Sequence, residues 1–337
     1  MQWYGGKFTG LIIVGSAAIF IKSKRCILSC VHKERDCIGR FRIRILQLRT
    51  KRTIPSEMKR RNFIKGLAGL TALSACTGLY AWQIEPFWLE FVQQDMPIKN
   101  LPAHLQGKTL MQISDIHVGK RFDHNYLIES FKKAQAYNPD FVVYTGDYVS
   151  TYRDEVQYPE LEETLSHCVR GKIATAAILG NHDYGKAWKE LPVADKISGL
   201  LEQNGVTVLR NAQKEFGGLQ IIGLDDYWGP NFNPRLGLAN YDPTKPSIVL
   251  CHNPDVCDLD IWNGYAGWIL AGHTHGGQCK PPFLPPPMLP VNNRRYTSGK
   301  IDLAQGRTLY INRALGHLWQ VRFNVRPEVT IFTLKTA

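Results

Sequence analysis

The chain has 337 residues, with 41 Lys and Arg against 29 Asp and Glu, and a formal net charge of +12. The excess is local: 12 of the basic and three of the acidic residues fall in residues 1–57, which leaves the other 280 at +3. A surface basic enough to track a polyanion is therefore excluded for most of the chain, and no duplex nucleic acid is expected as a partner.

The N-terminal segment is unlike the rest. It holds an uncharged run over residues 8–21, short for a bilayer span, and Cys26, Cys30 and Cys37 beside His32, a zinc-like set of a kind that arises by accident. We read residues 1–57 as a non-native or disordered extension, with translation starting at Met58. From there Lys59, Arg60 and Arg61 precede a charge-free run over residues 66–82, the order of features in an export signal. The paired arginines look like a twin-arginine leader. Residues 58–82 are thus expected to form a signal or membrane anchor, and Leu73-Ser74-Ala75-Cys76 resembles a lipoprotein box that would place a lipid on Cys76. Residues 83–107 read as a linker and 108–337 as the catalytic domain. Cys168, Cys251, Cys257 and Cys279 permit disulfides, but their spacing specifies no pairing.

In the catalytic domain, apolar strand-like runs at 109–114, 141–145 and 174–179 alternate with helix-like stretches at 125–137, 160–169 and 186–204. Further strand-like runs follow at 206–209, 219–224, 248–251, 268–271, 307–311 and 328–334. Alternation followed by closely spaced strands predicts an α/β protein with two sheets packed face to face and helices outside. The segment PPFLPPPMLP at 281–290 must be an irregular loop, because proline has no amide to donate.

Seven metal-ligand side chains lie just after five of these runs: Asp115 and His117, Asp147, Asn181, His252, and His273 and His275. Chemistry in parallel-sheet proteins sits beyond the carboxyl ends of strands, so the five clusters are expected to meet in one crevice. Residues two apart on an extended segment point to one side, which suits Asp115/His117 and His273/His275 to act as pairs. Carboxylates, an amide oxygen and imidazoles gathered in this way point to two divalent metals.

Read in order, Asp-Ile-His at 115–117, Gly-Asp at 146–147, Gly-Asn-His-Asp at 180–183, His252 and Gly-His-Thr-His at 272–275 are similar to the five motifs of the calcineurin-like metallophosphoesterases. The Gly-Gly-Gln that follows, Arg-Pro-Glu at 326–328 and the leader resemble a bacterial membrane-associated branch that includes UDP-2,3-diacylglucosamine pyrophosphatases. The resemblance implies the family's four-layer sandwich and hydrolysis of phosphodiester or pyrophosphate bonds. It also implies that Asp115, His117 and His275 hold one metal, Asn181, His252 and His273 the other, and that Asp147 bridges them. Two cations about 3.5–4 Å apart clamp the attacking and leaving oxygens of a phosphoryl displacement, and these donors suit Mn, Fe, Zn or Ni alike. By the same resemblance His182 faces the phosphate as a catalytic residue. Asp183 is expected to orient it, as carboxylates do for imidazoles. Ser150 stands where purple acid phosphatases carry a tyrosine ligand, so tyrosine–iron chemistry is not implied. Ala314 replaces the glycine of many relatives.

For substrate contact, Arg313 and Arg322 are candidates to grip a diphosphate. Phe283, Leu284, Met288 and Leu289 are candidates to meet acyl chains or the bilayer. The expected partners are a phosphorylated small molecule or lipid and the membrane surface. The alternatives are a general periplasmic phosphodiesterase or phosphatase on small soluble esters, a nuclease, and a non-catalytic metal-binding module. Lys59, Arg60 and Arg61 before the apolar run, with Glu85 and Glu90 after it, favour a periplasmic catalytic domain on the inner membrane. A lipid A precursor would call for the cytosolic face, which an interfacial segment would reconcile.

Overall fold

The computed structural model describes residues 59–119, 122–150 and 158–337. The extension with its cysteines, and with it the reading of Met58 as the start, lies outside the described residues.

Among the described residues, twelve strands form two six-stranded mixed sheets. The first is ordered β1 (Glu90–Ile98), β12 (Glu328–Thr336), β2 (Thr109–Ile113), β3 (Phe141–Thr145), β4 (Ala174–Ile178), β5 (Thr207–Val208). The second is ordered β10 (Gly299–Asp302), β11 (Thr308–Ile311), β9 (Trp268–Ala271), β8 (Ser247–Leu250), β7 (Leu219–Gly223), β6 (Ala212–Phe216). β2 to β5 run parallel, as do β7, β8, β9 and β11, while β12 is antiparallel to β2.

Alternate side chains of each central strand serve two cores. Leu110, Phe141, Val143, Ala176 and Ile178 meet Ile221, Ile248, Leu250, Trp268 and Leu270 between the sheets. Met111, Ile113, Val142, Tyr144, Ala177 and Leu179 face outward. Strands buried on both faces read as continuous apolar runs, which is why the sequence marks them so clearly. Helices α2 (His124–Gln135), α3 (Tyr158–Ser166) and α4 (Leu191–Gln203) cover the outer face of the first sheet with Leu127, Phe131, Leu161, Leu165, Ile197 and Leu201. Asp123 caps α2 by accepting the Asn125 amide at 3.0 Å. Another core, with Ile222, Val249, Ile269 and Tyr265, lies on the far side of the second sheet.

The linker expected over 83–107 is overturned. β1 pairs with β12 over nine positions, and Met96, Ile98, Leu101 and Leu105 are buried between the sheets. Its half-buried pattern, with Gln93, Gln94 and Asp95 in mid-strand, hides it from a search for apolar runs. β6 and β10 escape notice for the same reason, as edge strands with largely polar sequences. The helix expected from residue 186 starts later, since 186–188 make a separate 3-10 turn in which Ala187 and Trp188 have positive φ. Before β1, α1 (Arg60–Leu79) is a 20-residue helix with no buried residue. Cys76, Cys168, Cys251, Cys257 and Cys279 are all free.

Two glycines are fixed by the approach of the strand ends. Gly146, after β3, has φ +92°, and a Cβ there would come within 2.5 Å of the Gly180 nitrogen after β4. A Cβ on Gly272 would lie 2.2 Å from an Asp115 carboxylate oxygen. Gly146→Ala is expected to destabilise the fold by roughly 1–3 kcal/mol or more, through strain at positive φ and a backbone clash. Urea unfolding checks this; an unchanged midpoint would mean the β3 and β4 ends are not held this closely.

Candidate metal centre

All five clusters converge beyond the carboxyl ends of β2, β3, β4, β8 and β9. Asp115, His117 and His275 offer donor atoms within 4.8 Å of one another, and so do Asp147, His252 and His273. All six side chains are buried. In the first group His117 Nε2 is 3.0 Å from His275 Nε2, and Asp115 Oδ1 is 3.2 Å from His275 Nε2. In the second, His252 Nε2 is 3.2 Å from His273 Nδ1 and 3.1 Å from Asp147 Oδ2. Ligands about 2.0–2.2 Å from one ion stand roughly 3.0–3.6 Å apart, so these spacings are those of donors around shared centres.

Asp147 joins the two groups. Its Oδ2 lies 3.1 Å from His252 Nε2 and 3.5 Å from His117 Nε2, while its Oδ1 accepts the His182 amide at 2.9 Å. Asn181 lines the same cleft, and its buried Oδ1 has no hydrogen-bond partner among the described residues. Leaving such an acceptor unmatched is costly unless a cation or a donor meets it.

The outer nitrogens fix which ring atom faces inward. His252 Nδ1 donates to the Thr145 carbonyl at 2.7 Å and His273 Nε2 to that of Pro290 at 2.9 Å. His117 Nδ1 lies 3.3 Å from the Val149 carbonyl. Burial alone would raise the Asp147 carboxyl, but the imidazoles of His252, His182 and His117 hold it far below the usual carboxylate range. Burial opposes a charge on His252, yet Asp147 and Asp115 raise it well above an ordinary imidazole. Burial presses His273 down to about 3. The two carboxylates thus favour positive charge at the centre, raising His117 as well as His252, while burial lowers His273 and His275 toward the neutral form that metal ligation requires. The donor set fits two divalent cations.

The pairs are presented differently from expectation. β2 ends at Ile113 and β9 at Ala271, so neither pair lies on a pleat. Asp115, His117, Asp147, His273 and His275 all have φ between +48° and +70°. Five ligands in the left-handed region are a strain the surrounding loops must hold in place. Asp115 is held by the Gly146 carbonyl, which accepts its amide at 2.9 Å, and by the His273 amide, which donates to its carboxylate at 3.1 Å.

Asp183 does not take the place expected of it. Its Oδ2 accepts the Asp147 and Gly180 amides at 2.9 and 2.8 Å, and its Oδ1 accepts the Tyr148 amide at 2.8 Å. Its carboxylate ties the β3 loop to the β4 loop. Burial, with Asp147 nearby, raises it to about 7. His182 lines the cleft with its ring edge-on to His117 at 5.0 Å, and burial lowers it to about 4.

Arg313 and Arg322 are also corrected. Arg313 is paired to Glu328 and, at 3.0 Å, to Glu90. Arg322 is fully buried and donates to the carbonyls of Arg313, Ala314, Gly316 and Val325 at 2.7–3.2 Å. These carbonyls belong largely to the loop after β11, where Ala314 has φ +70° and Leu315 and Gly316 donate to Ser114 and Asp115. Arg322 braces the loop after β11 through its terminal nitrogens, and Arg313 is engaged by Glu328 and Glu90.

Sequence reasoning found Met288 and Leu289 in the wall of the site and missed its tryptophans and Leu318. A cleft of about 960 Å³ opens from Asp147, Asn181, His182, His273 and His275. Trp188, Trp228, Met288, Leu289, Leu318 and Trp319 contribute to its apolar sides. Trp188 and Trp228 stack at 4.8 Å, and Trp228 packs edge-on against His273 at 4.5 Å. Asp226 holds the Trp228 amide at 2.9 Å. These residues come from loops far apart in the chain, and no spacing announces them.

Comparison with known proteins agrees with this geometry. The calcineurin-like phosphoesterase family model matches residues 108–277. The chain is 30% identical to the uncharacterized metallophosphoesterase YkuE of Bacillus subtilis over 83% of this chain and 99% of that protein. It is 26% identical to the UDP-2,3-diacylglucosamine pyrophosphatase LpxG of Chlamydia muridarum, over 80% of this chain and 97% of that one. It is 27% identical to the phosphodiesterase YaeI of Escherichia coli, over 82% and 99%. With five ligand clusters at the ends of five strands of a two-sheet fold, the chain belongs to the calcineurin-like phosphoesterases, a family of metal-dependent phosphoester hydrolases.

Proposed function

We propose that the enzyme hydrolyses a phosphodiester or pyrophosphate bond in a lipid-linked substrate of the UDP-2,3-diacylglucosamine kind. The observation that carries this reading is the cleft, which joins buried metal-ligand groups to a wall of tryptophan, leucine and methionine. A small soluble ester needs no such wall, whereas an acyl chain gains roughly 0.8 kcal/mol for each methylene it buries. The LpxG relative supports a substrate of this class and the YaeI relative supports diester cleavage.

In this reading Asp115, His117 and His275 hold one divalent ion, Asn181, His252 and His273 the other, and Asp147 both. When bound, the two ions supply Lewis acidity toward the phosphoryl oxygens and a nucleophile from water. The protein's own groups do the rest. His182, neutral because it is buried, lines the cleft where the phosphate would sit and offers a hydrogen bond to an ester oxygen as charge develops there. Asp183 positions Asp147 and Gly180, keeping the bridging carboxylate in place before substrate arrives. The tryptophan pair and Met288 exclude water from one side.

Three outcomes test the proposal. Purified enzyme supplied with Mn is expected to cleave UDP-2,3-diacylglucosamine and bis-p-nitrophenyl phosphate but not single-stranded DNA, and to lose both activities to a chelator. Turnover of the soluble diester alone would favour the general phosphodiesterase. Asp147→Asn is expected to abolish hydrolysis and lower bound metal by elemental analysis, because a neutral amide cannot balance two cations; normal turnover with two metals would remove the bridging role. His182→Ala should instead keep both metals while kcat falls by roughly 10²–10⁴. An emptied site in that variant would make His182 a ligand.

A further inference from the structure

Phe283 is fully exposed, and Leu284, Met288 and Trp319 are 59%, 79% and 58% exposed. With the less exposed Val321 they belong to two loops that hydrogen bonds join into one surface. The Gln278 side chain donates to the carbonyls of Trp319 and Val321 at 3.1 and 3.0 Å. The Phe323 amide donates to the Gln278 carbonyl at 3.0 Å and the Lys280 amide to that of Phe323 at 2.8 Å. Water is a poor neighbour for such a grouping, and contiguous apolar surface of this kind marks a contact site.

The chain itself indicates what covers it. The continuous helical stretch Arg60–Phe87 is long and apolar enough to cross a membrane, and α1, which opens it, is 20 residues long and wholly exposed. Its length of about 30 Å matches a bilayer's hydrocarbon core. Where it ends it is fastened to the same loops. The Ala81 carbonyl accepts the Arg322 amide at 2.8 Å, and the Trp82 carbonyl accepts the Gln320 side chain at 3.1 Å. Tyr80 stands edge-on to Phe323 at 6.4 Å, and together with Pro282 and Phe283 these rings line a second, smaller cleft. Trp82 and Trp88 are half-exposed beside this exit, and Arg326 lies over Trp88 at 3.7 Å, an aromatic and basic pairing suited to lipid headgroups.

We propose that the surface formed by Phe283, Leu284, Met288, Trp319 and Val321 rests in the headgroup layer of a lipid bilayer crossed by α1, so that the metal cleft opens onto the membrane. Met288, Trp319 and Val321 also line that cleft, so its mouth and the membrane contact are continuous. A substrate with acyl chains then enters sideways from the bilayer and need not leave it for water. This inference rests on the phosphohydrolase reading for what enters the cleft, but the surface itself is tested separately.

The full chain in vesicles of phosphatidylethanolamine and phosphatidylglycerol, carrying p-benzoylphenylalanine at position 283 or 288, is expected to give lipid adducts by mass spectrometry after irradiation. The same group at position 173, exposed at the start of β4 and so at the opposite strand end from the site, is expected to give none. Equal adducts at all three positions, no adducts, or cross-links only to a second copy of the chain would overturn the proposal. In a parallel assay, Phe283→Ser with Leu284→Ser should lower cleavage of a vesicle-embedded phosphodiester at least tenfold and leave bis-p-nitrophenyl phosphate hydrolysis unchanged. Equal rates on embedded substrate would overturn the surface while leaving the hydrolase reading intact. Loss of the soluble reaction in the unsubstituted enzyme would count against that reading alone.

Discussion

Two carboxylates buried among four imidazoles set the terms for the whole molecule. Asp115 and Asp147 lose the solvation of water, and each would be untenable in an apolar core without positive charge beside it. His252 answers part of this demand between the two acids, and divalent cations answer it fully. The rest of the fold follows from keeping these groups close. Strand ends must meet within a few ångströms, which requires Gly146 and Gly272, and five ligands must adopt left-handed backbone.

Such strain is held by bonds that look peripheral when residues are considered one at a time. Asp183 fastens the β3 and β4 loops through three backbone amides. Arg322 threads under the loop after β11 and holds four carbonyls, and that loop in turn donates two amides to the Ser114–Asp115 backbone. Both are ionisable side chains buried for positioning, and removing either would leave several backbone groups unmatched. The tolerance of Ala314 at φ +70° follows from this bracing, since the Asn312 side chain accepts its amide and the Arg322 guanidinium donates to its carbonyl.

The same arginine links the ligand loops to the chain that leaves α1. Its backbone amide bonds to the chain leaving α1 while its guanidinium supports the ligand loops. The exposed helix, the apolar loops and the metal cleft are therefore mechanically one unit. A cleft wall of tryptophan and methionine stands beside a hydrophilic metal centre, so one cleft offers both charged and apolar surface.

The sequence by itself determined the two-sheet fold and the convergence of the ligand clusters. Buried parallel strands are continuous apolar runs, and each motif sits just past one. It did not reveal β1, β6 or β10, because edge strands half in water lack that signal. Only tertiary structure decided how the ligand pairs are aimed, since left-handed backbone beyond the strand ends replaces the pleat that a spacing of two suggests. It alone withdrew Arg313 and Arg322 from the substrate and Asp183 from His182, because hydrogen-bond partners are a property of loops meeting in space. The tryptophan pair belongs to the same class: Trp188 and Trp228 lie 40 residues apart, and nothing in local sequence records that their rings stack beside His273.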